Sequence, residues 1–220
     1  MKRIFISCAL FLCTISLSAQ TKMTAKEAAL KIADRILDST TYEFKNTKTG
    51  EVYKSVKKLP LSMDVKVACK YNNWHYTNGV TNIALMELAD KVGDKKYDKY
   101  VLKNMNFVFN EGNLDFFRRQ YDQAFKDGGW NAVRKLSWHM IFRGKRLDDN
   151  GPMGASLIEL QMRHPNEAFL SYVNETADHL NYAEPRLVDG TIARLWPHVN
   201  TIWADDAFMA ISFLARMGKM

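Results

Sequence analysis

Two acidic pairs, Asp148-Asp149 and Asp205-Asp206, each stand where a helical pattern begins. The first lies in Leu147-Asp148-Asp149-Asn150-Gly151-Pro152-Met153-Gly154. Negative charge is favoured at a helix start, and one acid is enough to cap it. Two acids side by side, next to Asn150 and glycines that let a ligand come close, exceed that need. The second pair follows Trp196-Pro197-His198-Val199-Asn200-Thr201-Ile202-Trp203-Ala204. Tryptophan faces suit the apolar side of a sugar ring, although packing inside a core is their more frequent use. A third segment, Trp74-His75-Tyr76-Thr77-Asn78-Gly79, also precedes a helical pattern. There Gly79 allows a sharp turn and Thr77 or Asn78 can cap, so an aromatic anchor and a cap explain most of it.

Paired acids at two helix starts imply acid–base chemistry, with a built-in tension. A carboxylate at a helix N-terminus is favoured in its charged form, which suits a base or a group that orients water. A proton donor needs a raised pKa, from burial or from neighbouring negative charge. Two acidic sites in one cleft supply both, with the more buried acid holding its proton. Other chemistries lack their residues. The five histidines (His75, His139, His164, His179 and His198) are dispersed, without a His-Glu-x-x-His helix or a cysteine partner. No nucleophile elbow or phosphate-binding glycine loop occurs. Cys69 reads as a small core residue, and no metal or cofactor is called for.

The elements that must position these residues are helical. Thr24-Ala25-Lys26-Glu27 is a capping box, followed by Ala28, Ala29, Ile32, Ile36 and Leu37 at helical spacing, which predicts a helix over 25–38. Further helices are predicted near 78–92, 114–125, 131–142, 152–162, 167–182 and 205–217, and one more begins after Asp94. Strand signals are few. A loop or small hairpin fits 43–56, and Asp189-Gly190 marks a tight hairpin over 186–194. Helices joined by short loops predict an all-α fold of antiparallel helix pairs.

Residues 1–20 read as a secretory signal peptide: Lys2 and Arg3, an apolar run from Ile4 to Leu17, then small residues. This predicts a secreted or periplasmic protein with one domain over 21–220 and no membrane association after cleavage. Cys8 and Cys13 belong to that leader, which leaves Cys69 alone and an internal disulfide impossible. The formal net charge of +7 becomes +5 without Lys2 and Arg3. Its basic residues are scattered and not interleaved with aromatics, which argues against nucleic-acid binding. Apolar residues make up 47% of the chain, enough for a packed core.

Together, the three segments, in their order and spacing, resemble the unsaturated rhamnogalacturonyl hydrolases of glycoside hydrolase family 105. Ile211-Ser212-Phe213-Leu214-Ala215-Arg216-Met217-Gly218 extends the likeness, and the unsaturated glucuronyl hydrolases of family 88 are a weaker match. The resemblance implies an (α/α)6 toroid with its cleft at one mouth. It also implies a substrate, an oligosaccharide ending in a 4,5-unsaturated uronic acid of the kind polysaccharide lyases leave on pectic fragments. An aspartic acid would protonate the vinyl ether double bond, water would add at the adjacent carbon, and the hemiketal would collapse to release the sugar. Carried over by position, Asp205 resembles the proton donor and base, with Asp149 as its acidic partner. Asp206 and Asp148 are the adjacent acids, and Trp203, His198 and Trp74 are the expected substrate-binding residues. Twelve helices need more than the 200 residues that follow the leader. The expectation is therefore an incomplete toroid, a missing C-terminal half, and little or no activity from residues 1–220 alone. A non-catalytic carbohydrate-binding scaffold, and a helical-toroid glycosidase or lyase acting on saturated polysaccharide, are the alternatives.

Overall fold

Thr24 Oγ1 accepts from the Glu27 amide at 3.2 Å and the Glu27 carboxylate accepts from the Thr24 amide at 2.8 Å, closing the expected box at the start of α1 (Ala25–Asp38). The computed structural model to which this geometry belongs describes residues 23–143 and 147–220, apart from the Asp149 side chain. The expected leader lies outside the described residues. After α1 the chain forms β1 (Phe44–Asn46), β2 (Val52–Tyr53) and β3 (Val65–Val67), an antiparallel sheet in the order β2-β1-β3. The hairpin expected over 43–56 is the β1–β2 pair, and β3 is an addition to it. Phe44, Val65 and Val67 are buried, and the Phe44 ring packs against Phe107, Phe116 and Phe117.

Seven further α-helices follow among the described residues: α2 (Tyr76–Val92), α3 (Lys96–Val108), α4 (Glu111–Val133), α5 (Met140–Arg143), α6 (Leu147–Arg163), α7 (Glu167–Asp178) and α8 (Ala204–Met217). A single π turn, His179–Ala183, continues α7. The hairpin expected over 186–194 is one antiparallel bridge, Arg186 to Ile192, turning at Gly190 with φ +87°. Expected boundaries shift, and α4, expected over 114–125, runs from Glu111 to Val133. The helix anticipated over 131–142 is broken, because buried Trp138 adopts φ +62°, a conformation no helix can contain. Pro152 does not open its helix; α6 begins at Leu147 and carries the first acidic pair inside its opening turn.

Three of these helices run side by side in the same direction. A Cβ on Gly79 of α2 would fall on the Pro152 and Met153 backbone of α6, and eleven residues further along both helices Asp90 pairs with Arg163 at 2.7 Å. Between α6 and α8, Gly151 lies against the Met209 carbonyl, Gly154 against Phe213, and Glu159 pairs with Arg216 at 2.8 Å. Both sets of contacts advance together, so α2, α6 and α8 are parallel and in register. Within this group α6 is central, buried continuously from Asn150 to Ile158. The sequence reading assigned the glycines near the acids to ligand approach. They serve helix–helix approach instead, and Gly79 makes no sharp turn. The far face of α8 leaves Phe208, Ile211 and Leu214 exposed.

Two outcomes follow for stability. Gly151→Ala puts a methyl on the Met209 carbonyl of the adjoining helix, and thermal or urea unfolding should show a loss of about 3 kcal/mol, the upper end for overpacking. His139 is buried and donates its Nδ1 proton to the Leu136 carbonyl at 2.8 Å. Burial, with smaller effects from the Arg143 and His75 charges, pushes its pKa below the ordinary value of 6.5. Protonation therefore opposes the fold. Stability held above pH 6.5 should decline as pH falls toward the lowered pKa, and His139→Gln should flatten that decline in urea titrations run at each pH.

Candidate active site

Parallel register puts the N-termini of α2, α6 and α8 at one end, and all three segments singled out in the sequence lie there. α2 begins one residue after His75, whose Nδ1 accepts from the Thr77 amide at 3.3 Å. The cap is therefore His75, not Thr77 or Asn78. At the start of α8, Asp206 reaches back to the Trp203 amide at 3.3 Å, as an acid at the third helical position can. Asp148 and Asp205 are the second residues of their helices.

Arg194 draws these acids together. Its guanidinium grips Asp206 with two hydrogen bonds of 2.6 Å, from Nε to Oδ2 and from Nη2 to Oδ1. The same Nη2 donates to Asp148 Oδ1 at 3.2 Å and lies 3.8 Å from Asp205 Oδ2. The guanidinium plane also covers the Trp203 ring at 4.2 Å. Its backbone is held by a two-bond clasp, in which Arg194 donates to the Thr201 carbonyl and accepts from the Asn200 amide, each at 2.8 Å. The hydrogen bonds to Asp206, followed by the charges of Asp148, Asp206 and Asp205, bind the Arg194 proton more firmly than usual. Acids from two separate helix starts, Asp148 and Asp205, thus meet on a single nitrogen.

A pocket of about 140 Å³ opens beside this cluster, lined by Asp148, Arg194 and Asp206 with Glu184, Leu195 and Trp196 among its walls. Glu184, just past the π turn, is almost fully buried and its Oε2 lies 2.8 Å from His179 Nε2. Burial pushes its carboxyl up, the His179 hydrogen bond draws it back, and the Asp206 charge pushes it up further. Of the acids lining the pocket, Glu184 is the one whose proton is favoured by burial. Desolvated acid and exposed acid are both present: the exposed one, Asp205, is among the residues the sequence suggested, and the desolvated one, Glu184, is not. Asp206, the more buried member of its pair, is occupied by Arg194 and the helix cap, while Asp205 is half exposed.

The remaining expected residues divide. Trp203 belongs to the cluster through Arg194. His198 is exposed on the loop between Arg194 and Thr201 and is not part of the pocket lining. Trp74 is fully buried, 4.7 Å from Tyr172 centroid to centroid, so it has no surface to offer a sugar. Asp149 lies in the first turn of α6, and its side chain is outside the described residues. Arg194 and Glu184 were not anticipated. The only signal was an arginine and a glutamate flanking the Asp189-Gly190 turn, upstream of the second acidic pair; nothing in their spacing links them to Asp148 or Asp206.

Residues 51–220 match the family described as Glycosyl Hydrolase Family 88. That span contains all three segments, Glu184 and Arg194. No curated protein matches the chain. The expected kinship with families 105 and 88 is thus met at the level of family 88.

Arg194→Met tests the cluster. It leaves Asp206 buried without its cation, and urea unfolding should show a loss of about 3 kcal/mol. A loss below about 1 kcal/mol, the usual worth of an exposed pair, would show the contact to be a surface one.

Proposed function

The chain belongs to glycosyl hydrolase family 88, and from that premise we propose that it hydrolyses oligosaccharides ending in a 4,5-unsaturated uronic acid, specifically the pectic, rhamnogalacturonan fragments left by lyases. The finer substrate rests on the resemblance of the three segments to family 105. Export to the periplasm or beyond fits this reading, since Lys2, Arg3 and the apolar run behind them have the form of a leader.

One observation carries the proposal: Asp148 and Asp205 meet at Arg194 Nη2 beside an open pocket with Trp196 on its wall. Asp205, the acid that the resemblance makes the proton donor, gives a proton to the double bond in this reading. The carbon next to the protonated one then takes the oxygen of a water molecule, whose proton returns to the Asp205 carboxylate. The resulting hemiketal opens and releases the rest of the chain, so the acid ends as it began. Asp148, the neighbour of the Asp149 that the resemblance makes the partner, is taken as the second acid because it shares Arg194, and its role is to hold the water or a sugar hydroxyl. Arg194 supplies positive charge where an anionic sugar must approach three aspartates. Two carboxylates that share one arginine differ in task from the pair that cleaves an ordinary acetal, where one acid protonates a leaving oxygen.

The decisive measurement is loss of the conjugated ultraviolet absorbance of an unsaturated rhamnogalacturonan disaccharide, read together with its binding by calorimetry. Asp205→Asn should lower turnover about 10³-fold, within the range for a general acid–base residue, while leaving binding nearly unchanged. Consumption of saturated pectin in preference to the disaccharide would overturn the substrate; undiminished turnover by Asp205→Asn would overturn the role. Binding retained with no turnover in any variant would favour the scaffold alternative.

A further inference from the structure

A second group of side chains suited to sugars lies outside the pocket. α4 is interrupted at Gly129, where φ is +57° and ψ is −147°. A Cβ there would meet nothing within 4 Å, so glycine is required by the backbone angle and not by space. The reversal folds Trp130 back onto the preceding turns. The Trp130 ring stands at 85° to Tyr121 and 88° to Phe125, with centroids 6.5 and 6.1 Å away, while Tyr121 and Phe125 are parallel to within 4°. Phe142 closes the group against Tyr121 at 5.6 Å. Two guanidinium groups complete it, Arg118 at 4.5 Å over Phe142 and Arg143 at 5.5 Å over Trp130.

Tyr121 and Phe142 pack against the core, and Phe125 and Trp130 extend the group outward from it. Phe125 is 50% and Trp130 49% exposed, an unusual state for two large rings already in mutual contact. Stacked rings give flat apolar faces for the C–H side of a pyranose, and planar guanidinium groups bind carboxylates through paired hydrogen bonds. Between Asp115 and Arg143 the chain has six basic residues against three acidic ones, so the surrounding field is positive. Arg143 stands five positions before Asp148, which limits the distance between their backbones to about 18 Å even for a fully extended chain.

We infer that Arg118, Tyr121, Phe125, Trp130, Phe142 and Arg143 form a second carbohydrate-binding surface, whose ligand is an acidic oligosaccharide carrying several uronate groups. It deepens the carbohydrate reading of the acidic pocket and rests on it. The surface holds the body of a longer anionic chain by stacking and by guanidinium–carboxylate pairing, and its nearness to the start of α6 raises the local concentration of chain ends at the pocket.

The test is calorimetric titration of the full chain with an oligogalacturonide saturated at its nonreducing end, which the proposed reaction cannot consume. Trp130→Ala and Arg143→Gln should each bind it about tenfold more weakly, the loss of one stacked ring or one charged contact, with circular dichroism unchanged. Phe125→Ser should behave likewise, Trp196→Ala on the pocket wall should bind as the wild type does, and added salt should weaken binding. Equal affinity for an uncharged xylo-oligosaccharide of the same length, or undiminished affinity in Trp130→Ala, would overturn the inference. So would binding lost in Trp196→Ala but kept in Trp130→Ala, which would put the ligand in the acidic pocket. Absence of turnover on the unsaturated disaccharide would count against the proposed reaction and leave these titrations as they are.

Discussion

Close approach of three parallel helices through glycine is the constraint from which the rest of the structure follows. Gly79 lets α2 meet the α6 backbone, Gly151 does the same for α8, and Gly154 makes room for the Phe213 ring. Parallel helices align their dipoles unfavourably, with partial positive charge gathered at one end and partial negative charge at the other. The side chains at both ends oppose that arrangement. Asp148, Asp205 and Asp206 occupy the N-terminal turns of α6 and α8, whereas Arg163 and Arg216 occupy their C-terminal turns. The basic end is then tied together by Arg163 to Asp90 and Asp98, and by Arg216 to Glu159. A reactive end and a stapled end arise from one packing arrangement.

At the reactive end, helix dipoles and one arginine offset part of the negative charge. Three helix N-termini contribute roughly half a positive charge each, and Arg194 contributes one more, against the carboxylates of Asp148, Asp205 and Asp206. This offset would help an acidic cleft admit the anionic sugar proposed as its substrate. It also explains why one arginine makes so many contacts, because a partly buried cluster of carboxylates without a cation would be strongly unfavourable. Trp203 beneath the guanidinium adds a cation–π contact that helps hold it level.

The acids around Arg194 differ in their surroundings more than in their chemistry. Asp206 is buried and spent on structure, gripping Arg194 and capping α8. Asp205, its neighbour in sequence, is half exposed, because successive residues at a helix start point about 100° apart. Glu184 arrives from the end of the π turn into a desolvated position beside His179, where burial favours its proton. Adjacent identical residues thus do unlike work, and a residue remote in sequence takes the desolvated position expected of one of the pairs.

Local chemistry was enough to mark the helices, the cap at Thr24, the hairpins at 43–56 and 186–194, and the acidic pairs at two helix starts. Apolar periodicity, capping side chains and Asp-Gly turns act over a few residues and carry their meaning in the sequence itself. Kinship with family 88 was legible for the same reason, through short segments in fixed order. Trp74 could not be distinguished from a sugar platform, since burial depends on what packs over it. Gly151 and Gly154 resembled room for a ligand until α8 was seen to fill that room. Arg194 and Glu184 became recognisable only in three dimensions. The reason is physical: a hydrogen bond or a desolvation cost depends on distances between segments, and those were decided when α2, α6 and α8 packed in register and the loop from Glu184 to Trp203 folded over their ends.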